Sequence, residues 1–378
     1  MGLKAPLIHD HDDLAAIAVE TVKGAVDEGI KLRDRDILCI TESVLARSQG
    51  NYATQRQITT DFRDKFQGDH LGVVFPILSR NRFSEILKAI QAGFKKTTVQ
   101  LSYPADEVGN HLISIDQMLD KWINPYEANM DYQEFRSMFG PTVHTFTGID
   151  YVEYYKSLGK NIDIIFSNDP TYILNHTDEV LAADIHSRFR TKDALRKDGG
   201  CSTALSLDEI MTEPVDGSGY NETYGLLGSN KATEGKLKLF PRDCQKFVDK
   251  VQSMLAEAVG VKMEVMVYGD GAFKCPVSTI WEFADPVVSP GFTYGLNGTP
   301  KEIKLKYQID SLSEKGLSRQ QVDDAIKKML AAENEPQQGT TPRQLTDLLG
   351  SLADLVSGSG GKGTPLVLVQ GYFNNWSR

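Results

Sequence analysis

Arg33-Asp34-Arg35-Asp36-Ile37-Leu38-Cys39-Ile40-Thr41 places a charged turn directly ahead of five residues that are apolar or favour strands, and that run reads as a buried strand. Upstream, Asp12 and Asp13 precede Leu14, Ile17, Ala18, Val22 and Ala25, an apolar stripe at helical spacing that ends at Gly29. The same alternation recurs downstream. A helix is predicted through Phe83, Ile86, Leu87, Ile90 and Phe94, followed by a strand over 97–101. Another helix follows Pro241 and runs through Phe247, Val251, Met254, Leu255 and Ala258 to Gly260, ahead of a strand over 262–268. Helices alternating with short apolar runs define an α+β fold (mixed α/β) with mixed sheets.

The chain has 378 residues, with 41 Lys and Arg against 51 Asp and Glu, a formal charge of −10. That balance removes the long-range attraction a polyanion binder relies on, so neither nucleic acid nor an anionic membrane is expected as a partner. A small anion such as a nucleotide can still bind if metal ions and backbone N–H groups supply local positive charge. Cys39, Cys201, Cys244 and Cys275 show no CxxC or other short spacing, so reduced thiols are expected, without a zinc site or a disulfide framework. The first 13 residues reach charge before any apolar run forms, and no segment approaches the roughly 20 apolar residues that span a bilayer. A cytoplasmic protein without a leader is expected.

Two stretches read as loops: 212–235, rich in Gly, Ser and Asn, and 333–342 around Glu-Pro-Gln-Gln-Gly. The second sets off a C-terminal unit, 333–378, from a main domain, 1–332. Helical patterns cover 317–332 and 342–356, and the closing strand is Pro365-Leu366-Val367-Leu368-Val369.

Polar motifs at the ends of these elements have a plain reading and a chemical one. Ser357-Gly358-Ser359-Gly360-Gly361-Lys362-Gly363-Thr364 is a flexible linker or a phosphate cradle. It is not a Walker A loop, because Gly363 separates Lys362 from Thr364 and the loop precedes a strand. Asp150, in Gly148-Ile149-Asp150, is an N-cap for a helix opening near Val152 or a metal ligand. Asp270, in Tyr268-Gly269-Asp270-Gly271, is turn chemistry at a strand end or a ligand for a hard cation. Asp169 in Asn168-Asp169-Pro170 fits a turn, and the His9, Asp10, His11, Asp12, Asp13 cluster fits a helix cap. Asp184 and His186, two apart, read as polar surface. Gly-x-Ser-x-Gly and His-Glu-x-x-His are absent, which removes the common hydrolase and zinc-protease signatures.

Taken in order, these motifs resemble the F-420-0:gamma-glutamyl ligase family, also called coenzyme F-420:L-glutamate ligases. Four blocks carry the resemblance: Ala5-Pro6-Leu7-Ile8 with Asp12-Asp13-Leu14; Asp36-Ile37-Leu38 through Ser43-Val44-Leu45-Ala46-Arg47-Ser48-Gln49-Gly50; Gly148-Ile149-Asp150 with a later Asp169-Pro170; and 265–274 around Asp270 with Gly360-Gly361-Lys362-Gly363-Thr364-Pro365-Leu366-Val367-Leu368-Val369-Gln370-Gly371. Together they cover about a quarter of the chain, leaving 172–260 as an inserted or divergent middle of the main domain.

The resemblance implies the family's ligase fold and a homodimer, with the C-terminal unit completing the site. It implies a ligase that uses GTP or ATP with Mn²⁺ or Mg²⁺, phosphorylates a carboxylic acid and couples it to L-glutamate through the acyl phosphate. By the same resemblance Asp150 and Asp270 ligate metal. Pro6, Leu7, Ile8, Ser43, Arg47, Glu153, Gly358, Ser359, Gly360, Gly361, Lys362 and Gly363 line the nucleotide. The sequence departs from the family at Arg47, where the family has lysine; at Glu153, where it has asparagine; at Ser359 and Lys362, where it has glutamate and aspartate; and at Gly271, where it has threonine. These departures support two alternatives: a ligase for a different acid, or a ligand- or partner-binding protein on the ligase fold.

Overall fold

The computed structural model describes residues 1–145, 147–197, 200–270, 273–274, 281–282, 284–300, 303–331, 343–357 and 363–373. The predicted strand at 37–41 is the centre of a five-stranded sheet. Ile37–Thr41 runs parallel to Glu264–Tyr268, with Ile37 opposite Glu264 and Thr41 opposite Tyr268. On its other side Leu366–Val369 pairs antiparallel, setting Leu366 against Ile40, and Gly2–Leu3 pairs antiparallel outside that. Gly291–Phe292 closes the opposite edge.

The apolar run is continuous because both faces of this sheet are covered. Leu38 and Ile40 join Val265, Val267, Leu366 and Leu368 under the helices Leu14–Asp27 and Cys244–Val259. Ile37 and Cys39 join Met266, Tyr268 and Val367 on the other face, against Leu349 and Ala353 of the helix Leu345–Ser357. The side chains alternate with the strand period of two, and a fully buried Leu or Ile there contributes about 1.5–3 kcal/mol.

Between the two parallel strands of this sheet, the chain builds a six-stranded sheet. Its order is Met130–Asp131, Ile162–Phe166, Lys96–Leu101, His70–Val74, Glu179–Ala182 and Thr203–Ser206. Every pairing is parallel except that of the edge strand Met130–Asp131. Along the chain the parallel strands add to one side of His70–Val74 and then to the other, the doubly wound pattern. Helices Gln55–Lys65 and Phe83–Gly93 pack against each other beside this sheet. The three-stranded antiparallel sheet Asn230–Thr233, Lys236–Lys238, Tyr52–Thr54 lies alongside, its hairpin turning at Gly235 with φ at 68°.

The predicted helices and strands fall where the periodicity places them, and the α+β fold with mixed sheets holds. The stretch 172–260 is shared out among the six-stranded sheet, the 230–238 hairpin and the helix Cys244–Val259. The predicted loop 333–342 lies outside the described residues. Helices Leu305–Glu314 and Arg319–Ala331 share a small core of Leu312, Val322 and Ile326. Among the described residues no helix is long and apolar enough to cross a membrane.

Candidate functional site

The register of the five-stranded sheet brings four chain segments to one edge. The exit of Gly2–Leu3, the entry to Leu366–Val369 and the exits of Ile37–Thr41 and Glu264–Tyr268 all face the same way. Ala5 N–H donates to the Gly363 carbonyl at 3.1 Å, and Thr41 N–H to the Pro365 carbonyl at 3.0 Å. Pro6, Leu7, Ser43, Gly363 and Asp270 therefore gather at the carboxyl ends of the two parallel strands, where open α/β sheets form their crevices. Ile8 is buried in the core beneath, and Leu7 is 84% exposed. Gly363 is exposed with φ at 73°. Arg47 is exposed near Tyr52. Gly358, Ser359, Gly360, Gly361 and Lys362 lie outside the described residues.

Around Asp270 sits a charged cluster that the sequence reading missed. Arg82 pairs with Asp270 and, through Nη1, with Asp285 Oδ1 at 2.8 Å. Asp285 is buried, and its second oxygen accepts the Asp270 N–H at 2.7 Å. Gly269 makes this approach possible, because a Cβ there would lie 2.2 Å from Asp285 Oδ2. Glu42, the first residue past the strand Ile37–Thr41, is also buried. Its Oε1 lies 3.5 Å from Lys238 Nζ, and among the described residues its Oε2 has no hydrogen-bond partner. Lys238 donates to Ser43 Oγ at 2.5 Å.

Burial dominates the electrostatics. Desolvation lifts the Glu42 carboxyl to about 7; Lys238 and Arg82 oppose the shift, while Asp285 and Asp270 add to it. Desolvation and Asp285 lift Asp270 to about 6 against Arg82, although 42% of its side chain remains open to solvent, which tempers the shift. Arg82 is held charged: burial alone would depress it, and Asp285 with Asp270 outweighs that.

Arg82 is delivered from the six-stranded unit by a braced loop. Tyr155 Oη donates to the Ile77 carbonyl at 2.5 Å and accepts the Ser79 N–H at 2.8 Å. Asp106, buried and raised to about 6 by desolvation, accepts the Leu78 N–H at 2.7 Å.

Asp150 is the N-cap of Tyr151–Ser157, the helix that carries Tyr155. Its Oδ1 accepts from Val152 and Glu153 N–H at 3.1 Å each and pairs with Arg136 at 2.7 Å, while Oδ2 accepts the Thr142 N–H at 2.9 Å. Glu153 is half exposed, pairs with Arg136 at 3.0 Å and accepts from Tyr132 Oη. The plain capping reading of Asp150 is thus realised, one residue earlier than expected. Asp13 likewise caps Leu14–Asp27, accepting the Ala16 N–H, and Asp169 accepts from Thr171. Asp184 corrects its reading as polar surface: it is 1% exposed, takes a hydrogen bond from Thr191 and is raised to about 6 by burial. Cys39, Cys201 and Cys244 are free thiols, and Cys275 lies outside the described residues.

Among the described residues no group of three or more His, Cys, Asp or Glu side chains gathers to hold a metal ion. Asp270, whose Oδ2 pairs with Arg82, is the partly exposed carboxylate here that could hold a hard cation, an ion that can bind through one or two carboxylates. Sequence reading could have flagged Glu42 by the argument used for Asp270, a carboxylate at a strand end. Arg82, Lys238 and Asp285 carry no local signal, since only the tertiary fold brings them together.

The charged groups converge at the carboxyl ends of the parallel strands, where open α/β sheets bind their ligands. The family model described as F420-0:Gamma-glutamyl ligase matches residues 2–371, nearly the whole sequence. The chain belongs to this ligase family. A search of curated proteins gives no match.

Proposed function

We propose that the protein joins L-glutamate by an amide bond to a carboxylic acid, driven by GTP or ATP with Mn²⁺ or Mg²⁺, through an acyl phosphate. The observation that supports this reading is the convergence of segments 5–8, 41–43, 269–270 and 363–365 on one edge of the five-stranded sheet. Three of the four resembling blocks contribute to that edge.

In this reading the nucleotide phosphates lie across the strand ends, beside Ser43 and Gly363. Asp270 holds the metal, which when bound neutralises phosphate charge that an acidic chain cannot. Arg82 and Lys238 add fixed positive charge on the protein side, and their ion pairs keep them in place without a reorganisation cost at the moment of reaction. Leu7 and Pro6 offer an exposed apolar surface to the base.

The test is incubation with GTP or ATP, Mn²⁺, L-glutamate and a panel of carboxylic acids, following phosphate release and the mass of a glutamylated product. Product that requires nucleotide, metal and acid together supports the ligase. Absence of phosphate release and of product under every condition overturns it.

A further inference from the structure

Arg82 belongs to the six-stranded unit, outside the resembling blocks, yet its side chain ends on Asp270. Its main chain is held in place: Arg82 N–H donates to Ser79 Oγ at 3.0 Å, in the loop that Tyr155 and Asp106 brace. One end of its guanidinium is held as well. Nη1 donates to Asp285 Oδ1 at 2.8 Å and to the Ala284 carbonyl at 3.4 Å, and Asp285 is itself pinned by the Asp270 N–H at 2.7 Å. Nη2 has a single partner among the described residues, Asp270 Oδ2.

The Asp270 carboxylate is the open end of this chain of contacts. Its side chain is 42% exposed, and Arg82 is its only ion-pairing or hydrogen-bonding partner among the described residues; Asp285, Asp354 and Lys238 act on it through space. A divalent cation that takes this carboxylate meets Arg82 already there, and two cations on one carboxylate repel. Asp285 keeps Nη1 whichever way Nη2 turns, so the conflict is relieved at Nη2 alone. The anion that arrives with the cation is a nucleotide phosphate, which a guanidinium fork matches in charge and shape.

We propose that Arg82 exchanges Asp270 for a nucleotide phosphate when metal takes Asp270, so that the six-stranded unit supplies a phosphate-binding residue and withholds Asp270 from metal until nucleotide is present. This rests on the ligase reading above and adds to it a physical source for the mutual dependence of metal and nucleotide.

The experiment compares wild type, Arg82→Gln and Arg82→Lys. Mn²⁺ alone is titrated with the free ion followed by electron paramagnetic resonance, and a non-hydrolysable GTP analogue is then titrated by calorimetry at saturating Mn²⁺. Arg82→Gln should bind Mn²⁺ about threefold or more tightly than wild type, because a competing cation is gone. It should bind the GTP analogue about tenfold or more weakly, the scale of one charge-assisted hydrogen bond. The opposite signs separate exchange from a damaged fold, which weakens both. Arg82→Lys keeps the charge without the fork, so Mn²⁺ binding should match wild type and the analogue should weaken by less than in Arg82→Gln. If Arg82→Gln shows no cooperative melt, analogue binding as tight as wild type in Arg82→Lys overturns the proposal. Analogue affinity unchanged in Arg82→Gln, or Mn²⁺ binding no tighter than in wild type, overturns the exchange and leaves the ligase reading standing. A wild type that binds no GTP analogue at any Mn²⁺ concentration overturns the ligase reading and the exchange with it.

Discussion

Arg82 reaches out of the six-stranded unit to Asp285, with Nη1 2.8 Å from Oδ1, and so ties the start of helix Phe83–Gly93 to the segment packed at the carboxyl end of Glu264–Tyr268. Both groups are largely buried, and removing Asp285 leaves Arg82 paired with Asp270 alone and takes away the acceptor of the Asp270 N–H. Asp285→Ala should cost about 1–3 kcal/mol in urea unfolding, the scale of a buried hydrogen-bonding group left without its partner. An Asp285→Ala variant as stable as wild type would show that the pair does not hold the two units together.

Glu42 makes stability depend on pH in a defined direction. Its folded pKa of about 7 lies above its usual 4.5, so the protonated form is favoured by folding. That contribution is fully present below pH 4.5 and is lost as pH rises through 7. Glu42→Gln removes the titration. The variant's melting temperature should therefore gain on the wild type's between pH 5 and pH 8 and approach it at the acid end. A gap that stays constant across that range would contradict the buried, raised carboxyl.

Asp150 spends its oxygens on two helix N–H groups, the Thr142 N–H and Arg136. Asp150→Ala should lose the cap, worth about 0.5–2 kcal/mol, and leave Arg136 without that partner. Asp150→Asn keeps an acceptor and should lose less. The metal-ligand expectation adds that the Asn variant, though folded, loses its Mn²⁺ response in nucleotide titrations. Equal destabilisation by Ala and Asn in thermal melts would contradict the capping role.

Tyr155 braces the loop that delivers Arg82. Tyr155→Phe removes the acceptor for Ser79 N–H and the donor to Ile77 carbonyl, a loss of about 1–3 kcal/mol. Amide exchange at Ser79 should rise in the variant. Unchanged exchange there would show that the loop is held by other contacts.

The sheet that frames the site was legible because strands covered on both faces leave continuous apolar runs, as at 37–41 and 265–268, and because helices with one buried face repeat every three or four residues. The doubly wound order of the inserted sheet was not legible. Each of its strands is short, and nothing local states which neighbour it will choose. The same holds within the site. Asp270 stood out as a carboxylate after a strand, and Glu42 directly follows the neighbouring strand, level with Gly269, but opens a helix, which disguises it as an ordinary first-turn acid. Arg82, Lys238 and Asp285 come from three distant segments, and Asp184 looked like surface because its burial is decided by Thr191 and the helix Arg188–Lys197 folding over it.

In the proposed reaction, nucleotide and metal meet at Asp270, at the carboxyl end of Glu264–Tyr268. Calorimetric titration of GTP into wild type and Asp270→Asn, each with and without Mn²⁺, tests it most directly. GTP binding should require Mn²⁺ in the wild type and be abolished in an Asp270→Asn protein with an unchanged far-ultraviolet spectrum. GTP binding that ignores Mn²⁺, or that survives intact in Asp270→Asn, would contradict it.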